Sequence, residues 1–213
     1  MVFYRRMEMN KTRNCILVLS LAAGLCLPGA ARADEAFTTA IKLGGAFPSV
    51  FSGLETTVQT ELEAGALLVG GRMDISLTLG YARPPASHSA GDARLAGESF
   101  QWSMQQDILV LGVLGRYRLL DGGSPLNFYG AIGPRLYMLR TTVDGTSGDA
   151  ALGENRQYDT QAGVALAAGA ELSLGPGSAL AELHFGASPL RGLVTGDVSA
   201  NAPGLLLGYR LSF

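Results

Sequence analysis

The chain has 213 residues, with 16 Lys and Arg against 18 Asp and Glu, a formal net charge of −2, 29 Gly, two Cys and one Trp. That balance lacks the clustered cations a nucleic-acid backbone demands, so a nucleic-acid partner is excluded. Both cysteines, Cys15 and Cys26, lie in the first 33 residues, which leaves the rest of the chain without disulfides or thiolate metal ligands.

Residues 1–33 read as an export signal. Arg5, Arg6, Lys11 and Arg13 precede an apolar run at 16–27, and Ala31-Arg32-Ala33 has the small-x-small form of a cleavage site. The run falls short of the ~20 residues a spanning helix needs. Leu25, before Cys26, is too large for a lipid-attachment box. Cleavage after Ala33 is expected, leaving residues 34–213 as one domain with eleven basic and seventeen acidic residues, a net charge of −6.

Downstream, apolar residues recur with a period of two in eight segments, the pattern of strands with one greasy face. Segment 36–47 places Ile41 and Leu43 on one face and Lys42 on the other. Segment 58–69 sets Leu62, Ala64, Ala66 and Leu68 against Glu61 and Glu63, and Gly70-Gly71 predicts a two-residue hairpin turn. Segment 72–83 sets Met73, Ile75, Leu77, Leu79 and Tyr81 against Asp74, Ser76 and Thr78. In 102–120 Leu109, Leu111, Val113, Tyr117 and Leu119 oppose Gly112, Arg116 and Arg118. Asp107 falls on the apolar parity there, which predicts a bulge or a strand already above the bilayer.

Segment 126–142 sets Phe128, Ile132, Leu136 and Met138 against Tyr129, Arg135 and Tyr137. Segment 161–174 carries Val164, Leu166 and Leu172 opposite Gln161 and Glu171; segment 178–188 carries Leu183 and Phe185 opposite Glu182 and His184. Gly175-Pro176-Gly177 between them marks a tight turn. The last segment, 202–213, alternates to its final residue, with Leu205, Leu207, Tyr209, Leu211 and Phe213 on one face and Arg210 on the other.

Eight is an even count, as single-chain bacterial barrels have, and no run outside the signal is long enough for a spanning helix. The fold class is therefore all-β: an eight-stranded antiparallel up-and-down transmembrane barrel. Connections at 70–71, 121–125 and 175–177 are short, and those at 48–57, 84–101, 143–159 and 189–201 are long and polar. Short periplasmic turns and long outer loops put both termini in the periplasm, with Tyr117, Phe128, Tyr209 and Phe213 in an aromatic girdle nearby.

The ending Leu207-Gly-Tyr-Arg-Leu-Ser-Phe213 and the repeated strand endings Gly80-Tyr81, Gly115-Arg-Tyr117 and Gly208-Tyr209 resemble those of the OmpA/OmpX-type eight-stranded outer-membrane barrel superfamily. The resemblance covers nearly all of 34–213 and implies an outer-membrane location. It also implies that Leu207, Tyr209, Leu211 and Phe213 form the signal read by the barrel assembly machinery. Larger members carry a peptidoglycan-binding domain after the barrel; a bare barrel is expected here.

Parity turns Lys42, Arg116, Arg118, Arg135 and Arg210 toward the lumen, together with Glu61, Glu63, Asp74, Glu171, Glu182 and His184. The interior of an eight-stranded barrel is just wide enough for side chains to fill it, and an unpaired buried charge costs several kcal/mol. Five cations and five carboxylates are thus expected to pair across the lumen, with Glu182 and Glu171 as partners for Arg210. A plugged structural or interaction scaffold is the first functional reading. A narrow small-solute channel and a subunit of a larger envelope complex in motility or export stand beside it.

No catalytic residue, cofactor or metal site is expected. His88, between Ser87 and Ser89, is the one catalytic pattern weighed, and it reads as a solvated loop; His184 reads as a member of the lumen network. Expected partners are outer-membrane lipid and lipopolysaccharide, with Arg140 and Arg156 facing lipid phosphates.

Overall fold

The computed structural model describes residues 37–68, 71–91, 99–120, 124–147, 150–188 and 202–213. The export signal, its cleavage site and the connection at 189–201 lie outside these described residues. Nine strands are present: β1 (Phe37–Ala46), β2 (Thr57–Leu68), β3 (Met73–Ala82), β4 (Pro85–Gly91), β5 (Ser99–Arg118), β6 (Leu126–Ser147), β7 (Ala150–Leu174), β8 (Gly177–Ala187) and β9 (Ala202–Ser212). All neighbours pair antiparallel in the order β3-β2-β1-β9-β8-β7-β6-β5, and β3 pairs β5, which closes the sheet on itself.

The staves number eight, because β4 continues β3 past a break at Arg83-Pro84. Neither Pro84 nor Pro85 has an N–H to give the ladder, yet Gln106 N donates to Pro84 O at 3.1 Å and keeps the stave on course. At the seam between first and last strands, Phe37 N donates to Phe213 O at 3.2 Å and Phe213 N donates to Phe37 O at 2.9 Å. Gly44 allows that seam to close, since a Cβ there would fall on the Leu205 carbonyl oxygen.

Closure follows from the alternation. Ile41, Leu77, Ile132 and Leu207 are 60–64% exposed on the outer face, whereas the residues between them on each strand are buried. Such an apolar exterior needs hydrocarbon against it, and in hydrocarbon every backbone donor must be paired within the protein. Among the described residues no helix is long and apolar enough to cross a membrane; the crossing is made by strands. Along β5 and the residue that follows it, the belt runs from Leu109 to Leu119, about 25 Å for strands tilted near 40°. Tyr117, Phe128 and Phe213, each about half exposed, edge the rim that carries the chain ends.

Above the opposite rim the structure departs from the expected loops. Segments 85–91 and 99–101 pair as β4 and the start of β5, and β6 and β7 stay paired up to Ser147↔Ala150. The described parts of two of the four long connections are therefore sheet, and β4-β5-β6-β7 stands beyond the barrel as a four-stranded extension. β7, with 25 residues, extends roughly 80 Å where 9–11 residues suffice to cross. The side chains above the belt no longer alternate in polarity because both faces of this sheet leave hydrocarbon, while the backbone ladder has no need of that alternation.

Leu68 pairs with Met73 and Gly71 lies at φ 78°; Gly70, the other residue of the expected two-residue turn, lies outside the described residues. No bulge occurs at Asp107: it pairs with Arg140 in unbroken register, and the register shift lies at Gly145/Thr146. The Gly175-Pro176 turn does connect Leu174 to Gly177 directly, with Gly175 at φ 63°, the positive φ a two-residue hairpin requires at its first central position.

Candidate functional site in the barrel lumen

The staves bring eleven ionisable side chains into the lumen, each no more than 8% exposed: Lys42, Glu61, Glu63, Asp74, Arg116, Arg118, Arg135, Glu171, Glu182, His184 and Arg210. Lys42 Nζ stands at the centre. It lies 2.9 Å from a carboxylate oxygen of Glu61, 2.9 Å from one of Glu63 and 2.9 Å from one of Glu182. Glu61 also receives Arg135 Nη2 at 3.0 Å. Arg116 holds Glu63 bidentately, both bonds at 2.8 Å, and reaches Asp74 at 3.0 Å.

Toward the rim of the termini, Arg118 bridges Asp74 and Glu171, each at 3.0 Å. Arg210 completes the circuit by donating to Glu63 at 2.8 Å and pairing with Glu171. All five cations and all five carboxylates thus belong to one connected network. Charge-assisted and bidentate bonds of this kind are the strong ones, and in a dry interior they offset the several kcal/mol lost on desolvating each ion.

One pairing expected from strand adjacency is not formed. On β8 and β9 Glu182 stands opposite Leu206, and Arg210 opposite Ser178, so the two are separated by four residues along the wall. Glu182 instead accepts from Lys42 and from Tyr129 Oη at 2.8 Å. Arg116 and Arg210 stack over the Tyr129 ring, 4.8 and 5.8 Å from its centroid, as cations do over aromatic faces.

Sequence reasoning placed Tyr137 on the inner face but missed Val110, Leu114 and Leu139. Leu114 and Leu206 are fully buried among the ions, and Val110, Tyr137 and Leu139 form an apolar layer nearer the far rim. Above it Leu54, from the β1–β2 connection, packs on Ala86 and Met104. The signal was available, since Val110, Leu114 and Leu139 share parity with the lumen-facing Gly112, Arg116 and Arg135. Three glycines of the wall make room for rings. A Cβ at Gly169 would meet Tyr129, one at Gly186 would meet Tyr137, and one at Gly204 would meet His184.

His184 lies beside a cavity of about 40 Å³ lined by Gln59, Val110, Arg135, Tyr137 and Gly186 among others, room on the order of two or three water molecules. Its Nδ1 has no hydrogen-bond partner among the described residues. Among the described residues no group of three or more potential ligands is placed to hold a metal ion. His88 lies in β4, paired with Trp102, and not in a loop. Leu207, Tyr209, Leu211 and Phe213 form the outward row of the closing strand, with Tyr209 Oη donating to Leu174 O at 2.5 Å.

A closed eight-stave wall, greasy outside and filled with paired ions inside, defines a transmembrane β-barrel of the outer-membrane type. Solved structures agree. The outer-membrane protein OprG of Pseudomonas aeruginosa is similar over 85% of this chain and 97% of its own, with a TM-score of 0.51 and 11% identity. A major outer-membrane protein of Thermus thermophilus is similar over 83% of this chain and 99% of its own, with a TM-score of 0.50 and 16% identity. Neisserial surface protein A is similar over 85% and 98%, with a TM-score of 0.46 and 17% identity. No protein-family model and no curated protein matches the chain. At these identities the likeness to the first two is one of fold.

Proposed function

We propose that this protein is a non-conducting, non-enzymatic scaffold of the bacterial outer membrane, anchored by its barrel and presenting the β4–β7 extension outward, with both termini in the periplasm. The observation that carries this reading is the centre of the lumen. Lys42 is shared by three carboxylates there, Arg116 and Arg210 stack on Tyr129, and Leu114 and Leu206 are fully buried. A conducting path needs weakly held ions and continuous water; these ions are held by direct bonds, and the cavity beside His184 is too small to connect the two rims. The outward row of β9 suits recognition by the barrel assembly machinery, and the projecting sheet suits an envelope-protein partner.

The purified barrel in a planar lipid bilayer is expected to give no steady conductance. Large, stable openings would overturn the scaffold reading in favour of a narrow channel.

A further inference from the structure

The outer surface just beyond the apolar belt carries an unmatched cation. On β3, β5, β6 and β7 the belt ends at a row formed by Tyr81, Leu109, Met138 and Thr160, which are in register across the sheet. The next outward row contains Asp107, Arg140 and Tyr158, again in register, with Arg83 joined to Asp107 at 3.1 Å. Arg156 stands one row higher, opposite Thr142.

The carboxylates nearest in these rows are engaged. Asp107 accepts from Arg83 and from Tyr81 Oη at 2.8 Å, and Glu154 pairs with Arg156. Arg140 has no hydrogen-bond or ion-pair partner among the described residues, and its Nε is buried without an acceptor. A guanidinium held this way lacks the anion whose two oxygens its planar fork fits. Strand and residue spacings set Arg140 and Arg156 roughly 8 Å apart at Cα, near enough for both side chains to reach one anionic group. Tyr158 beside them is 69% exposed, an amphipathic ring at the depth where lipid headgroups begin.

We propose that Arg140, flanked by Tyr158 and Arg156, binds the phosphate group of a phosphorylated glycolipid in the outer leaflet. The assignment to that leaflet rests on the reading that the β4–β7 extension faces outward. The acyl chains of such a lipid lie along the belt at Leu109, Met138 and Leu136, and its phosphate supplies the acceptors that Arg140 lacks.

The test uses the folded barrel reconstituted in phosphatidylcholine vesicles doped with lipid A, either phosphorylated or enzymatically dephosphorylated, with lipid retention after mild extraction read by native mass spectrometry. Wild-type protein is expected to retain the phosphorylated form preferentially, and Arg140→Ala to lose roughly tenfold or more of that retention while keeping the heat-shifted gel mobility of a folded barrel. Equal retention of the two lipids by the wild type, a comparison that needs no variant, overturns the proposal. So does unchanged retention by a folded Arg140→Ala, or tight binding of inorganic phosphate to the lipid-free protein in detergent. Orientation is read separately, by labelling Ser103→Cys in intact cells with a membrane-impermeant maleimide. Failure to label overturns the outward reading and the lipid class with it, and vesicle retention reports on the guanidinium site alone.

Discussion

Lys42 concentrates the electrostatics of the lumen in one side chain, because three carboxylates depend on it. Glu61 and Glu63 have arginine partners as well, whereas among the described residues Glu182 has only Lys42 and the Tyr129 hydroxyl. Breaking a buried pair from one side strands the other charge, at about 3–5 kcal/mol. Lys42→Met is therefore expected to destabilise the folded barrel by about that amount, measured as a shift in the urea midpoint in lipid vesicles. Adding Glu182→Gln to Lys42→Met removes the stranded charge and is expected to recover part of the loss. That both residues face inward was legible in their parity; that they meet was not, since they are 140 positions apart.

The strands show where side-chain pattern and backbone ladder part company. Within the belt each stave was legible from its period of two. Beyond it β6 and β7 continue through Val143-Asp144-Gly145-Thr146 and Asn155-Arg156-Gln157-Tyr158, where neither face meets hydrocarbon and no alternation remains to read. Pro134 was likewise unmarked, although with Gly133 it opens the β5–β6 ladder opposite Val113 and Leu114, which have no paired partners on β6. The wall glycines act at this scale too. Gly169→Val would drive a side chain into Tyr129, and overpacking of that kind costs about 1–3 kcal/mol. The expected result is a lower unfolding midpoint, whereas Gly130→Ala on the outer face of β6, where a Cβ meets nothing, is expected to leave it unchanged.

At the level of the whole molecule, the rim is uneven. Among the described residues the strands β8, β9, β1 and β2 end near the belt, and β4, β5, β6 and β7 rise well above it. If the tall side faces out, Ser103→Cys on the exposed face of β5 labels in intact cells, and no label enters until the envelope is opened in the opposite case. The amino-acid sequence by itself determined the class of wall, the number of staves and which side chains face inward. Each of these follows from the local geometry of a strand, whose successive side chains point to opposite faces. Only the tertiary structure decided which carboxylate meets which cation, how far the sheet outruns the membrane and which guanidinium is left unmatched. Those outcomes depend on register between strands and on closure of the sheet, which bring together residues far apart in the chain.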